Sequence, residues 1–310
     1  MSGSGEQPTC LNPPAHITKM FTDRIIQEGE RMSSELRSRI KRELINEIVK
    51  CYEKDRVTAS SSPLKAAEKR LRNVFESLRE AGYSVIAADF ETSSRVLVGM
   101  SEGELKQSLE VGMVMDKVLG IPYIPGPSIK GALRHYLHRV IGDDSECWES
   151  AEAVLGPEPG GEALNRPLVF IADAYPVGLN EGTQYLIEPD IVTPHYYKGG
   201  KPVESELDVE PTPVPHVSLS EGVVIRFVAG ILEYPRGLAR KYIKKVWECV
   251  SKKEGIDNAI VSSNPLLAFL TMLGITLKYS GIGGRTSKGY GILSILPSGY
   301  FEIGEADGDR

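Results

Sequence analysis

Glutamine is nearly missing from this chain: 4 in 310 residues, beside 7 asparagines. Heat-labile amides are therefore few, a composition of the kind thermophilic proteins show. Cysteine is as scarce. Cys10, Cys51, Cys147 and Cys249 lie far apart with no C-x-x-C pair. That excludes a disulfide-dense mini-protein and a cysteine zinc site, and predicts reduced thiols in a cytoplasmic protein. No apolar run reaches the roughly 18 residues of a membrane span, and the polar opening MSGSGEQPTCLNPP lacks the apolar core of a signal peptide. Neither sign of charge dominates: 36 Lys and Arg face 42 Asp and Glu, a net −6. With 41% apolar and 25% charged residues the chain is neither disordered nor collagen-like, and its length allows one large domain or two ordinary ones.

The net charge conceals an uneven distribution. Gly142–Glu233 holds 4 basic against 17 acidic residues, a local −13, which leaves the other 218 residues at +7. Three basic islands flank this acidic centre. Lys117–Ile141 has 4 basic and no acidic residues, Tyr234–Lys253 has 7 and 1, and Lys278–Gly291 has 3 and none. Such islands fit either a polyanion-binding face or solvated helix surfaces. The acidic centre is expected to face protein neighbours or to limit non-specific polyanion binding.

Residues 1–18 read as a loose tail. Ile25, Ile26, Met32, Leu36, Ile40, Leu44 and Ile48 then recur at helical spacing between Arg24 and Asp55. After a Ser-rich break, Ser62 is placed to cap a second helix from Pro63 to about Gly82. From Tyr83 the chain turns to short β-prone runs, SVIAADFE and SRVLVGM. The segment IPYIPGPSIKGALRHYLHRVIG predicts an extended piece, a Gly-Pro turn and a helix from about Ser128 to Ile141. Residues 142–165 read as an irregular loop and PLVFIADAYP as a buried strand. Six prolines between Gly178 and Pro215 predict a long irregular insertion, and such insertions commonly carry function. VVIRFVAGIL is a strand, Pro235 to about Glu254 a basic helix, and Asn264–Lys278 an apolar helix with an Asn-Pro start. A strand, ILSIL, and an acidic tail close the chain. The expected fold is α+β: a ferredoxin-like (RRM-like) antiparallel sheet with helices, an N-terminal helical extension over 1–82, a main domain over 83–300 with a long irregular insertion at about 175–216, and an acidic tail over 301–310.

Two motifs carry chemistry. In YIPGPSIKGALRHYLHR, Ser128 at a helix start exposes backbone N–H groups at the positive helix end, and Lys130 and Arg134 add charge along one face. A phosphate site and a merely capped helix are both open there. In SGIGGRTSKGYG, the glycines Gly281, Gly283, Gly284, Gly289 and Gly291 let the backbone approach a ligand, while Arg285, Thr286, Ser287 and Lys288 supply charge and hydroxyls. It is not a Walker loop, and it follows a helix and precedes a strand, the reverse of a dinucleotide fingerprint. Five glycines exceed the needs of a turn, which favours backbone-phosphate binding.

Taken together, IPYIPGPSIKGALR and GIGGRTSKGYG, in that order, resemble the RAMP superfamily of CRISPR-associated proteins. With DAYP, DIVTPHYYKGG and PTPVPHVSL between them, the chain is most similar to the sixth-subunit family of the Cmr (type III-B) effector complexes. The resemblance covers about Tyr83–Leu296. It implies a non-catalytic scaffold that holds guide RNA near its 3′ end through Ser128, Lys130, Arg134 and the loop residues Gly281, Gly283, Gly284, Arg285, Thr286, Ser287 and Lys288. It also implies that the insertion is a thumb-like element that contacts neighbouring subunits and, with His195, Tyr196, Tyr197 and Lys198, meets the guide–target RNA duplex. The implied partners are the guide RNA, the target RNA and the other Cmr subunits; no cofactor and no metal are implied.

Two rivals compete with that reading. An endoribonuclease would need a histidine as acid or base among His16, His135, His138, His195 and His216, or a metal at Asp173 or Asp190. Nothing in the sequence pairs these groups. A protein-docking module would use the acidic centre alone.

Overall fold

The computed structural model describes residues 13–28, 34–101, 105–109, 111–157, 166–192, 197–198, 201–202, 213–232, 237–256 and 264–306. In chain order the first elements are α1 (Pro13–Glu28), α2 (Ser34–Cys51), α3 (Lys54–Thr58), α4 (Pro63–Glu80), β1 (Tyr83–Thr92), α5 (Lys106–Leu109), α6 (Gly126–Ile141) and α7 (Ser145–Leu155). Then follow β2 (Val169–Ile171), β3 (Tyr175–Leu179), β4 (Ile187–Val192), β5 (Tyr197–Lys198), β6 (Lys201–Pro202), β7 (Val214–Leu219) and β8 (Val223–Leu232). The last are α8 (Leu238–Glu254), α9 (Pro265–Tyr279), β9 (Leu293–Ile295) and β10 (Phe301–Gly304).

Local chemistry accounts for the helix starts. Ser62 Oγ accepts the Lys65 N–H with Pro63 at the first helical position, and Asn264 Oδ1 accepts the Leu266 N–H with Pro265 behind it. Leu64, Ala67, Leu71 and Phe75 recur on one face of α4 and are buried. Three expectations need correction. Residues 13–18 are the first turns of α1, not a loose tail. The 142–165 segment contains α7, whose start is capped by Asp144 Oδ1 accepting the Cys147 N–H at 3.1 Å. The Pro-rich insertion contains a regular ribbon, β4 paired antiparallel with β7 from Ile187–Leu219 to Val192–Val214. Pro189 and Pro215 are compatible with it because a two-stranded ribbon leaves each strand one side without a ladder.

The central sheet has β1 and β8 in the middle, paired antiparallel from Tyr83–Leu232 to Glu91–Val224. β9 and β10 line the far side of β1, and β2 and β3 the far side of β8, all antiparallel. With α6 and α7 before β2, and α8 and α9 before β9, this is the β-α-β-β-α-β order of a split βαβ unit. The acidic C-terminal stretch enters the sheet as β10. Both faces of the sheet are covered. Arg226 on β8 reaches Glu68 on α4, whereas Phe90, beside Asp89 on β1, packs next to Gly274 of α9. The residues of α4 belong to the same core as β1 and β8. An RRM stacks bases on an open sheet face; here α4 occupies that face.

α2 packs on the β4–β7 ribbon, with Ile40, Leu44, Ile45 and Ile48 buried, while Ile26 on α1 is exposed. α7 and α8 pack side by side, joined by a Cys147–Cys249 disulfide with Cα atoms 6.2 Å apart. None of the described cysteines is a free thiol, which corrects the expectation of reduced cysteines. Lys245 Nζ meets Glu146 Oε1 at 2.9 Å beside that disulfide, so the second basic island turns partly toward the acidic centre.

Candidate nucleic-acid interface

The start of α6 is already satisfied. Pro125 is its N-cap residue, the Ser128 N–H donates to Pro125 O at 2.9 Å, and the Gly126 N–H donates to Asp173 Oδ1 at 2.8 Å. Asp173 is thus the anion at the positive helix end, and Ser128 lies inside the helix. Gly126 is required for packing, since a Cβ there would collide with the Ile171 carbonyl. Arg134 is occupied as well: its Nη2 donates to Gly156 O at 2.6 Å and lies 3.3 Å from Pro157 O, satisfying carbonyls at the end of α7. Ser128 and Arg134 thus take part in docking the helix, and the buried Arg134 Nη1 keeps no hydrogen-bond partner among the described residues. Lys130 remains on a groove of about 580 Å³ with Arg70, Phe170 and Asp173. Burial, then the neighbouring Arg134, lowers its pKa.

The glycine loop is built differently. It turns back on the chain at Arg95–Val98: the Gly284 N–H donates to Leu97 O at 2.7 Å, the Ile282 N–H to Gly291 O at 2.9 Å, and the Gly291 N–H to Arg95 O at 2.8 Å. Gly283 has φ +89 and Gly291 φ +77, and a Cβ on Gly291 would collide with the Ile282 carbonyl. Several of the five glycines are thus explained by close packing as well as by any ligand. At the loop's tip Thr286–Lys288 form a single 3₁₀ turn, with Ser287, Lys288 and Gly289 exposed. The first hydrogen bond of this turn runs from the Lys288 N–H to Arg285 O at 2.8 Å, so the N–H groups of Arg285, Thr286 and Ser287 precede it and have no acceptor within the turn. Arg285 has φ +62, the left-handed region that a non-glycine residue seldom occupies, and its guanidinium lies 5.6 Å from the Tyr290 ring centre.

Beside the tip lies a polar cleft of about 570 Å³ bordered by Arg95, Gln184, Tyr185, Glu188, Lys288 and Tyr290. Its floor is a network seated on β4. Arg95 Nε donates to Glu188 Oε1 at 2.5 Å and Arg95 Nη1 to Asp190 Oδ1 at 3.1 Å; Tyr290 OH donates to Asp190 Oδ2 at 2.6 Å. The hydrogen bond to Glu188, opposed by partial burial, raises the Arg95 pKa, while burial and then Asp190 raise that of Tyr290. His216, opposite Asp190 across the ribbon, is fully enclosed, with Nε2 3.5 Å from Asp190 Oδ2. Burial outweighs the carboxylate and lowers its pKa. Sequence reasoning missed Arg95, Glu188 and Tyr290. The one local signal, Glu188 and Asp190 two apart on a strand face, is masked by the prolines that make the segment look irregular.

The two motifs meet at an unexpected point. Arg139, at the far end of α6, donates to Ser280 Oγ at 3.2 Å. Lys130 lies nine residues back, about 14 Å along the helix at 1.5 Å per residue. His135 and His138 are exposed on α6, His138 edge-on to Trp148, and no group of three metal-ligating side chains occurs among the described residues. His195 and Tyr196 lie outside the described residues, and Tyr197 and Lys198 are described only as the backbone of β5, paired with β6.

A split βαβ sheet with a C-terminal glycine loop folded against the segment after β1 defines a class of ferredoxin-like protein. The chain belongs to the RAMP superfamily, whose family model matches residues 89–294. It is 28% identical over 228 residues to the CRISPR system CMR subunit Cmr6 of Saccharolobus solfataricus, covering 74% of this chain and 64% of that protein. The match therefore spans just under two thirds of that relative. The Cmr6 subunit of Pyrococcus furiosus is 22% identical over 260 residues, covering 67% of each. A chain in the cryo-EM structure of the type III-B Cmr-beta complex bound to cognate target RNA shares the fold, with a TM-score of 0.66 at 22% identity over 96% of this chain and 93% of that one. No described helix is long and apolar enough to cross a membrane.

Proposed function

We propose that the chain is a non-catalytic RNA-binding scaffold subunit of a type III-B CRISPR (Cmr) ribonucleoprotein. It holds the guide RNA backbone towards its 3′ end and contributes to binding the target RNA duplex beside other Cmr subunits. The observation that carries this is the loop tip, where Ser287 and Lys288 stand exposed and the turn's leading N–H groups have no acceptor within it, beside a cleft that also holds Arg95. Such a surface suits a ribose-phosphate chain read by geometry, with sequence left to base pairing. The likeness to two Cmr6 subunits, and to a fold found in a complex with target RNA, supports the same reading. An endoribonuclease is less well supported, because His216 is enclosed and Asp173 and Asp190 are held by internal hydrogen bonds.

The test is guide-RNA retention by the assembled complex across a salt series. Lys288→Ala is expected to weaken retention and to reduce the salt slope by about 0.7, one single-strand phosphate contact. Unchanged affinity and slope would remove the loop from the interface. Cleavage of guide precursor or complementary RNA by the isolated chain would overturn the non-catalytic reading.

A further inference from the structure

Glu188 and Asp190 sit two apart on β4 and so share a face. Together they hold Arg95, and Arg95 in turn carries the glycine loop through its carbonyl. Asp190 also takes the Tyr290 hydroxyl directly. The closing limb of the loop, Tyr290–Gly291, is therefore pinned by a side chain from the ribbon and by a carbonyl from the segment after β1. Asp190 is buried, so neither bond competes strongly with water. The ring of Tyr290 also lies under Arg285, so the residue fixed by Asp190 is the one against which the loop's arginine rests.

We infer that Asp190, with Arg95 and Tyr290, is a positioning site that fixes the glycine loop on the base of the β4–β7 ribbon and presents Arg285 and Lys288 to RNA in one geometry. This rests on the RNA-binding reading for its consequence but not for its structural content. Asp190 thus orients the loop and touches neither RNA nor metal. Loop and insertion act as one rigid unit at this point, because the carboxylate joining them cannot be exchanged for water without opening the ribbon's base.

The experiment uses the full chain and two readouts. Tyr290→Phe keeps the ring beneath Arg285 and removes one hydroxyl; Arg95→Lys and Asp190→Asn test the other members. Without RNA, amide exchange over residues 284–291 is expected to quicken about tenfold in Tyr290→Phe, the weight of one hydrogen bond to a charged group, with the rest of the chain unchanged. Trypsin cleavage after Arg285 and Lys288 should quicken alongside. With a single-stranded RNA of guide sequence, the variant should bind about tenfold more weakly with the wild-type salt slope, since no cation is lost; Lys288→Ala changes the slope instead. Unaltered exchange and cleavage in Tyr290→Phe would overturn the positioning role, and so would a reduced salt slope in that variant. Faster exchange in Tyr290→Phe, combined with a wild-type chain that binds no RNA, would uphold the anchoring and overturn the RNA-binding reading. Should Asp190→Asn fail to fold, Tyr290→Phe, which deletes one oxygen at a part-exposed site, still decides.

Discussion

Replacing Asp89 by alanine removes the charge that holds the two central strands together. Asp89 on β1 and Arg226 on β8 are direct partners in the ladder. Arg226 Nε donates to Asp89 Oδ1 at 2.7 Å and Nη2 to Oδ2 at 3.0 Å, a two-pronged pair with side chains 10% and 6% exposed. The Tyr300 N–H donates to Asp89 Oδ2 at 3.0 Å, and the guanidinium lies 3.9 Å from the Tyr300 ring centre. Removing one member of a buried pair costs about 3–5 kcal/mol, because the other charge stays buried without its counter-ion. Glu68, 3.3 Å from Arg226 Nη1 and a third exposed, compensates in part, so Asp89→Ala should cost about 3 kcal/mol. Arg226→Met alone should cost as much, whereas the double variant leaves no buried charge and should lose at least about 2 kcal/mol less than the sum of the two. Guanidinium unfolding of the four proteins at equal m-value measures each term. A single-variant cost below about 1 kcal/mol, or strict additivity in the double, would refute the claim that this pair is a desolvated, coupled unit.

The Cys147–Cys249 disulfide closes 102 residues, for which the chain-entropy relation gives about 4.7 kcal/mol at 25 °C; the Cys147→Ser/Cys249→Ser variant should melt roughly 7 °C lower in a thermal scan without reductant, and an unchanged melting point would show that α7–α8 packing suffices. Burial lowers the His216 pKa below its ordinary 6.5, so the unfolded chain takes up that proton first as the pH falls. Stability should therefore be complete above pH 6.5 and decline below it, and His216→Gln should flatten that part of a stability–pH profile; an unchanged slope would move the acid sensitivity elsewhere. Gly291→Ala forces a Cβ into the Ile282 carbonyl at φ +77 and should cost at least about 2 kcal/mol, measured by denaturant midpoint. A cost near zero would mean that the loop is not packed against its own start.

Several local features are legible in the residues themselves. Ser62 and Asn264 announce their helices because a cap and a following proline act within three residues. The glycine pattern of 281–291 announces a tight loop because left-handed backbone is nearly glycine's alone. The strand Val223–Leu232 and the split βαβ order follow from period and element sequence. The prolines of 178–215 mislead, since a proline bars a central strand but not a two-stranded ribbon, and the choice depends on whether a partner such as β7 arrives. The internal partners of Ser128 and Arg134 are illegible for a similar reason. A helix start or a cation looks available until a distant group, Asp173 or the end of α7, takes it.

What sequence alone determined is therefore short-range: caps, amphipathic faces, glycine backbone and the motif order that points to the superfamily. Tertiary structure alone decided which charges are occupied and which stand open. Arg95 meets Glu188 across 93 residues, Tyr290 meets Asp190 across 100, and Cys147 meets Cys249 across 102. Contacts of that span depend on how the whole sheet closes, so local propensity carries no record of them.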